Sequence, residues 1–333
     1  MPRRQDSAPV PIPSAAVLAA ALLAAACAGT RRDPDPTPLN PTAALEVRTA
    51  GSGMQDIPAF EGTVLTYTRA NMRRTESRHK GGGAVARPAD IESGPRIERL
   101  DRKLVWTLDD KARRARQCPL KGCPVPAPKK NPGVRPADGA GKDATCRLKT
   151  SNMVLIVEPT GKKRRLNGFD VTQYAVKWAT TFHDNASRRS TGTVDLDIWT
   201  AETTGDLRDA LAAEKAFEDA HGKLGGADAE ADYFALLPPA AAKMIASYLA
   251  PSVSPTDRAA FLAGPKKADK VPGVPILTTV RWNFSGEACA GNALPPSEAG
   301  KPLFTLTSEV RVHRMEPRHD SLFAVPKDYK ITK

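Results

Sequence analysis

Apolar and polar residues alternate with a period of two in several stretches of this chain, and each such stretch predicts a strand with one buried face. The first is Thr63-Val64-Leu65-Thr66-Tyr67-Thr68, rich in β-branched and aromatic side chains. A second strand region runs from Arg96 to Leu108, with Leu104, Trp106 and Leu108 on one face. Between them, His79-Lys80-Gly81-Gly82-Gly83 reads as a loop. Strands resume over residues 146–157, where Met153 to Val157 is apolar throughout, and a turn through Gly161 to Gly168 leads into a strand over Asp170 to His183. There Val176, Trp178, Thr180 and Phe182 alternate with more polar neighbours. After a turn at Asp184-Asn185, Val194, Leu196 and Ile198 face one way while Asp195, Asp197 and Trp199 face the other. The stretches Ile276, Thr278, Val280, Trp282, Phe284 and Phe304, Leu306, Ser308, Val310, Val312 repeat the pattern, and Leu322 to Tyr329 is expected to form a last strand or edge. A sheet of this kind is antiparallel with one wet face.

In the middle of the chain the period changes to that of a helix. Over Asp206 to Leu224, residues Leu207, Ala210, Leu211, Phe217, Ala220 and Leu224 fall on one side, opposite charged residues. Pro238-Pro239 opens a second helix that carries Met244, Ile245, Tyr248 and Leu249, and Ser254-Pro255 caps a short third that stops at Gly264-Pro265. Helices gathered between strands in one segment predict an α+β fold rather than alternating α/β.

The N-terminus carries an address. Arg3 and Arg4 precede an apolar run from Ala15 to Ala26, too short for a stable span, and Leu23-Ala24-Ala25-Ala26-Cys27 reads as a signal peptide with a lipidation site at Cys27. Residues 1–26 are expected to be removed, and residues 27–58, with Asp33-Pro34-Asp35-Pro36-Thr37-Pro38, to act as a Pro-rich tether ahead of a single domain at 59–333. Several acyl chains bind a leaflet stably where one binds marginally. Ala28, rather than Asp, after the cysteine favours the periplasmic face of the outer membrane. The formal charge of +12 falls by one, to +11, when Arg3, Arg4 and Asp6 leave with the signal. In the cell envelope that charge points to anionic lipid or an acidic envelope partner, and nucleic acid is not expected. Lys162-Lys163-Arg164-Arg165 is read first as a solvated turn, with a docking patch as the second reading.

Cys118, Cys123, Cys146 and Cys289 form an even set for an oxidising compartment. The pairing 118–123 with 146–289 is preferred, with the other two pairings open. From Asp109 to Thr145 the alternation stops and nine Lys or Arg residues are mixed with prolines, so a disordered basic insertion is expected there. Its Gly139-Ala140-Gly141-Lys142-Asp143 is no phosphate loop, because Asp143 stands where a Ser or Thr must hold magnesium. His183-Asp184 and the run His313 to Asp320, with His319, are the densest acid-base groups. No nucleophile elbow or metal-binding helix accompanies them, so no residue is assigned a catalytic role and no cofactor or metal is expected.

Asn167-Gly168-Phe169-Asp170-Val171-Thr172-Gln173-Tyr174-Ala175-Val176, then Asp197-Ile198-Trp199-Thr200-Ala201-Glu202, then Phe323-Ala324-Val325-Pro326-Lys327-Asp328-Tyr329 resemble the motifs of an exported bacterial lipoprotein family of unknown function. That family is similar in build to the lipoprotein-localisation factors. The resemblance implies a curved antiparallel sheet forming an open half-barrel, with helices on its concave face. It brings no catalytic residue, and it departs from the family at Gln173 and in the 109–145 insertion. The function it implies is non-enzymatic: an amphiphile or apolar chain held in a sheet/helix cavity, for which Trp178, Met244, Ile245, Tyr248 and Leu249 are the candidate lining. An interaction module built on the basic insertion is the alternative, and a hydrolase around His313 and His319 the third reading.

Overall fold

The computed structural model describes residues 35–53, 59–81, 94–121, 146–224, 237–250, 252–263, 271–289, 297 and 301–332. Cys27, Cys123, the signal-peptide segment and residues 122–145 of the expected insertion lie outside the described residues. The chain divides into two units, Met1–Thr37 and Pro38–Lys333, and all the elements below belong to the second.

Among the described residues twelve strands form one sheet: β1 (Leu39–Ser52), β2 (Phe60–Arg69), β3 (Met72–Gly81), β4 (Arg96–Arg99), β5 (Leu104–Asp109), β6 (Arg114–Pro119), β7 (Lys149–Leu166), β8 (Phe169–His183), β9 (Arg189–Ala201), β10 (Val274–Gly286), β11 (Phe304–His319) and β12 (Lys330–Thr332). Their order is β12-β6-β5-β4-β3-β2-β1-β11-β10-β9-β8-β7. Two meanders therefore meet where β1 pairs with β11. Every pairing is antiparallel except the short parallel contact of β12 with β6. Between β9 and β10 the chain forms α1 (Gly205–Lys223), α2 (Pro239–Leu249) and α3 (Pro255–Ala263). The fold is a sheet-dominated α+β fold, as the periodicity implies. No helix among the described residues is long and apolar enough to cross a membrane.

The register explains the core. Trp178 and Trp282 both stand opposite Val194, and Val176 and Val280 both stand opposite Leu196, so their side chains share one face. That face carries Phe182, Phe284, Phe304 and Leu306 and is covered by Ile245, Tyr248 and Leu249 of α2 and Phe261 of α3. Burying each large apolar side chain contributes about 1.5–3 kcal/mol. The reverse face of the same strands is polar: Lys177, Asp195 and Arg281 lie level there, and Gln173 Nε2 donates to Asp197 Oδ1 at 2.7 Å. On the helix side, α1 lies against β11, β1 and β2 and buries Leu207, Ala210 and Phe217. Phe217 meets Leu100, Val105 and Leu120, and the Arg73 guanidinium lies 4.1 Å from its ring centroid.

Across β4–β6 the opposite face is apolar as well. Ile97, Trp106, Leu108 and Ala115 pack with Val325 and Tyr329 of the C-terminal segment.

Several elements differ from the sequence expectations. The tether does not extend to residue 58, because β1 lies at the centre of the sheet; small Ala43 and Ala44 are buried there without a strongly apolar pattern. The expected loop at 79–83 begins inside β3, whose polar run Met72–Gly81 is held by ladders to β2 and β4. The region 96–108 is two strands joined by a 3₁₀ turn at Leu100–Arg102. The expected disordered insertion from 109 is corrected over 114–119, which pairs with β5 as β6. Strand β7 continues to Leu166, so Lys162–Arg165 is strand and the turn is only Asn167-Gly168. Leu322–Tyr329 is no strand: Asp320–Phe323 is a 3₁₀ turn, and β12 begins at Lys330.

Candidate functional site

Two places on the helix-bearing part of the fold hold chemistry that packing alone leaves unexplained. The first lies beneath α2 and α3. The Phe261 ring is centred 4.8 Å from Trp178, tilted, and 5.7 Å from Trp282, edge-on, and Tyr248 meets Trp282 and Phe284 edge-on at 6.2 and 5.8 Å. Gly192 lies between Thr180 and Phe284 in the ladder, and a Cβ there would stand 2.6 Å from Trp282 Cη2. Three buried donors in this aromatic layer, Trp178 Nε1, Thr180 Oγ1 and Trp282 Nε1, have no hydrogen-bond partner among the described residues. Each such group forfeits about 1–3 kcal/mol relative to water. Burial also pushes the Tyr248 phenol well above its ordinary range. Of the residues expected to line a cavity, Trp178, Ile245, Tyr248 and Leu249 belong to this packed layer and Met244 lies at its margin. Thr180 and Trp282 were readable only as sheet-facing positions of alternating strands.

The second place is a cleft of about 1150 Å³ where the β7–β8 hairpin tip, the start of α1 and β11 meet. Its lining includes Lys163, Arg164, Arg165, Arg311 and Arg314, with Phe169, Val171, Leu207 and Val312 as apolar wall. None of the cavity candidates from the sequence lines it.

Cys146 is disulfide-bonded to Cys289, closing the two chain segments on either side of the helices. Cys118 is also in a disulfide. Asp184 ties the β8–β9 turn to this bridge. Burial opposes its ionisation, but N–H groups of Cys289, Arg188 and Ala186 and the Arg188 guanidinium outweigh burial and hold its carboxyl down at about 2. Cys146, Asp184 and Cys289 approach one another as metal ligands would. The bonded sulfurs and the fully engaged carboxylate oxygens make the group a structural knot instead. His183 Nε2 lies 2.8 Å from Ser151 Oγ.

His313 is buried under α1, with Nε2 3.3 Å from Glu214 Oε2. His319 is six residues further along β11, about 20 Å at strand rise, so the strand holds the two histidines apart. The Phe-Ala-Val-Pro segment is anchored rather than catalytic in its contacts: Arg69 bonds Asp320 and the Arg318 carbonyl and lies 4.7 Å from the Phe323 ring centroid. Asn40 also donates to Asp320 at 2.8 Å, and Tyr329 donates to Asp110 at 2.7 Å.

Comparison of the chain with family models, curated proteins and solved structures returns no match.

Proposed function

We propose that this protein is a non-enzymatic, exported envelope lipoprotein, anchored through Cys27, that binds an amphiphile or apolar chain between its sheet and the α2–α3 pair. In this reading the sheet is an open half-barrel and the helices occupy its concave face. The observation that carries it is the trio of donors with no acceptor among the described residues, Trp178 Nε1, Thr180 Oγ1 and Trp282 Nε1, set in an aromatic and aliphatic layer. Apolar walls with a few convergent polar groups are what a small-molecule site requires. The ester or carboxylate oxygens of an acyl chain would accept from these donors while the chain replaces helix side chains against the sheet. Step by step, the helices yield, the apolar chain enters, and its oxygens satisfy groups that the empty protein leaves unpaired.

The test is extraction of the natively purified full chain for mass spectrometry, with displacement of a fluorescent fatty acid. A bound lipid or saturable displacement is the expected result; neither would sink the reading. Thr180→Val removes one orphan hydroxyl at nearly constant shape. It is expected to leave the empty protein as stable or up to about 2 kcal/mol more stable, while weakening fatty-acid binding. A loss of stability with unchanged binding would instead mark Thr180 as a packing residue only.

A further inference from the structure

The β7–β8 hairpin does something its local sequence does not require. Asn167 and Gly168 both have positive φ, 50° and 91°, as a two-residue Asn-Gly hairpin turn demands. The tip does not project into solvent. Asn167 Nδ2 donates to Glu309 Oε1 and to the Val310 carbonyl, both at 2.9 Å, and its Oδ1 accepts from Arg311 Nη1 at 3.2 Å. Strands β8, β9 and β10 lie between β7 and β11 in the sheet, so the tip curls across their ends. The irregularity between Pro159 and Lys163 supplies the bend.

The curl sets Lys163, Arg164 and Arg165 against Arg311 and Arg314 around one cleft. Arg311 has Glu309 at 3.0 Å and Arg314 has Glu316 at 3.6 Å. Lys163, Arg164 and Arg165 make no ion pair among the described residues. Arg164 is instead held with its guanidinium 3.9 Å from the Trp199 ring centroid, which fixes its position and leaves its N–H edge open. The five cations outnumber the three carboxylates of the lining, Asp170, Glu202 and Asp206. His313 lines the same cleft with its side chain 4% exposed, and among the described residues its Nε2 has no hydrogen-bond partner although Glu214 is near. Bringing like charges together from two distant strands costs free energy unless a counter-charge enters. Arginine forks presented from two sides call for an anion with several acceptor oxygens, which a phosphate group supplies better than a single carboxylate.

We propose that this cleft is a phosphate-binding site, in which a phosphate group bridges the Lys163–Arg165 run of β7 and the Arg311–Arg314 segment of β11. The site does not rest on the amphiphile reading: a phosphorylated small molecule and a phospholipid headgroup share the required chemistry. The test is calorimetric titration of the full chain in a zwitterionic detergent with two probes, inorganic pyrophosphate and a short-chain phosphatidic acid below its micellar concentration.

The expected result is saturable binding of at least one probe that weakens on raising salt from 50 to 200 mM. In K163E/R165E it should weaken tenfold or more, and in the control K111E/K121E, at the β5–β6 end of the sheet, less than twofold. Binding of pyrophosphate alone identifies a free phosphate ligand, and binding of phosphatidic acid alone identifies a headgroup. Absence of saturable binding, binding unchanged in K163E/R165E, or equal loss in both variants overturns the site. K163Q/R165Q gives the same reading without charge reversal if the first variant does not fold. Fatty-acid displacement measured on the same samples separates failure of this cleft from failure of the site beneath α2 and α3.

Discussion

Phe261→Ala probes whether α3 is held to the sheet by one aromatic side chain. The Phe261 ring is fully buried and centred 4.8, 5.7 and 5.8 Å from Trp178, Trp282 and Phe182. Fully burying a phenylalanine side chain contributes about 1.5–3 kcal/mol, and truncation adds the cost of the cavity it leaves. Measured truncations of this kind cost about 3–5 kcal/mol, and a loss near 4 kcal/mol is expected here. Helix α3 is only nine residues long, too short to persist without packing. The substitution should therefore release the helix as well as leave a hole. Urea unfolding followed by tryptophan emission reads the global loss. The native baseline should shift to the red as Trp178 and Trp282 gain water, and amide exchange over residues 255–263 should accelerate towards that of an open chain. Phe261→Leu should recover more than half of the stability. A loss under about 1 kcal/mol with unchanged native emission would refute the reasoning, because the ring would then not be what seals this layer.

The remaining predictions concern the close approach, the bridge and the acid limb. Gly192→Ala puts a Cβ 2.6 Å from Trp282 Cη2 and 2.8 Å from Phe182 Cε2; overpacking of two rigid rings should cost about 1–3 kcal/mol, and an unchanged urea midpoint would contradict the packing. Replacing Cys146 and Cys289 by serine opens a loop of sequence separation 143. Chain entropy puts the loss at about 5 kcal/mol, readable as the difference in unfolding free energy between variant and wild type. Asp184 has its carboxyl lowered from 3.8 to about 2 in the folded chain, so its stabilisation is complete above the unfolded value and disappears as pH falls through the folded one. Wild type should lose stability between about pH 4 and pH 2, and Asp184→Asn should flatten that limb; an unchanged limb would assign acid lability to other groups.

Elements whose own periodicity meets one apolar surface were legible in the sequence. Leu207, Ala210 and Phe217 fall on one side of a 3.6-residue repeat and are buried in α1, and Ser254 caps α3 by accepting the Asp257 N–H at 3.1 Å. The alternation in β8, β9 and β10 likewise matches the face buried beneath α2 and α3. Strands β1, β3 and β6 were not legible, because their stability comes from neighbours remote in sequence. In β3, Arg74 pairs with Glu76 on its own strand, while Arg73 reaches Glu218 on α1, so charged residues there satisfy one another instead of marking a loop.

The sequence by itself determined which segments carry an apolar face, where the helices begin, and which four cysteines are available for bridges. Tertiary structure alone decided where the open space lies. The residues named for a cavity fill a packed layer, whereas the cleft is built from Lys163–Arg165 and Arg311–Arg314, which no local pattern connects. The contact that joins them, Asn167 to Glu309, spans 142 positions of chain. It forms only because a long, bulged hairpin at the edge of a curved sheet can bend across three strand ends, and that bend is a property of the assembled sheet rather than of any window of residues.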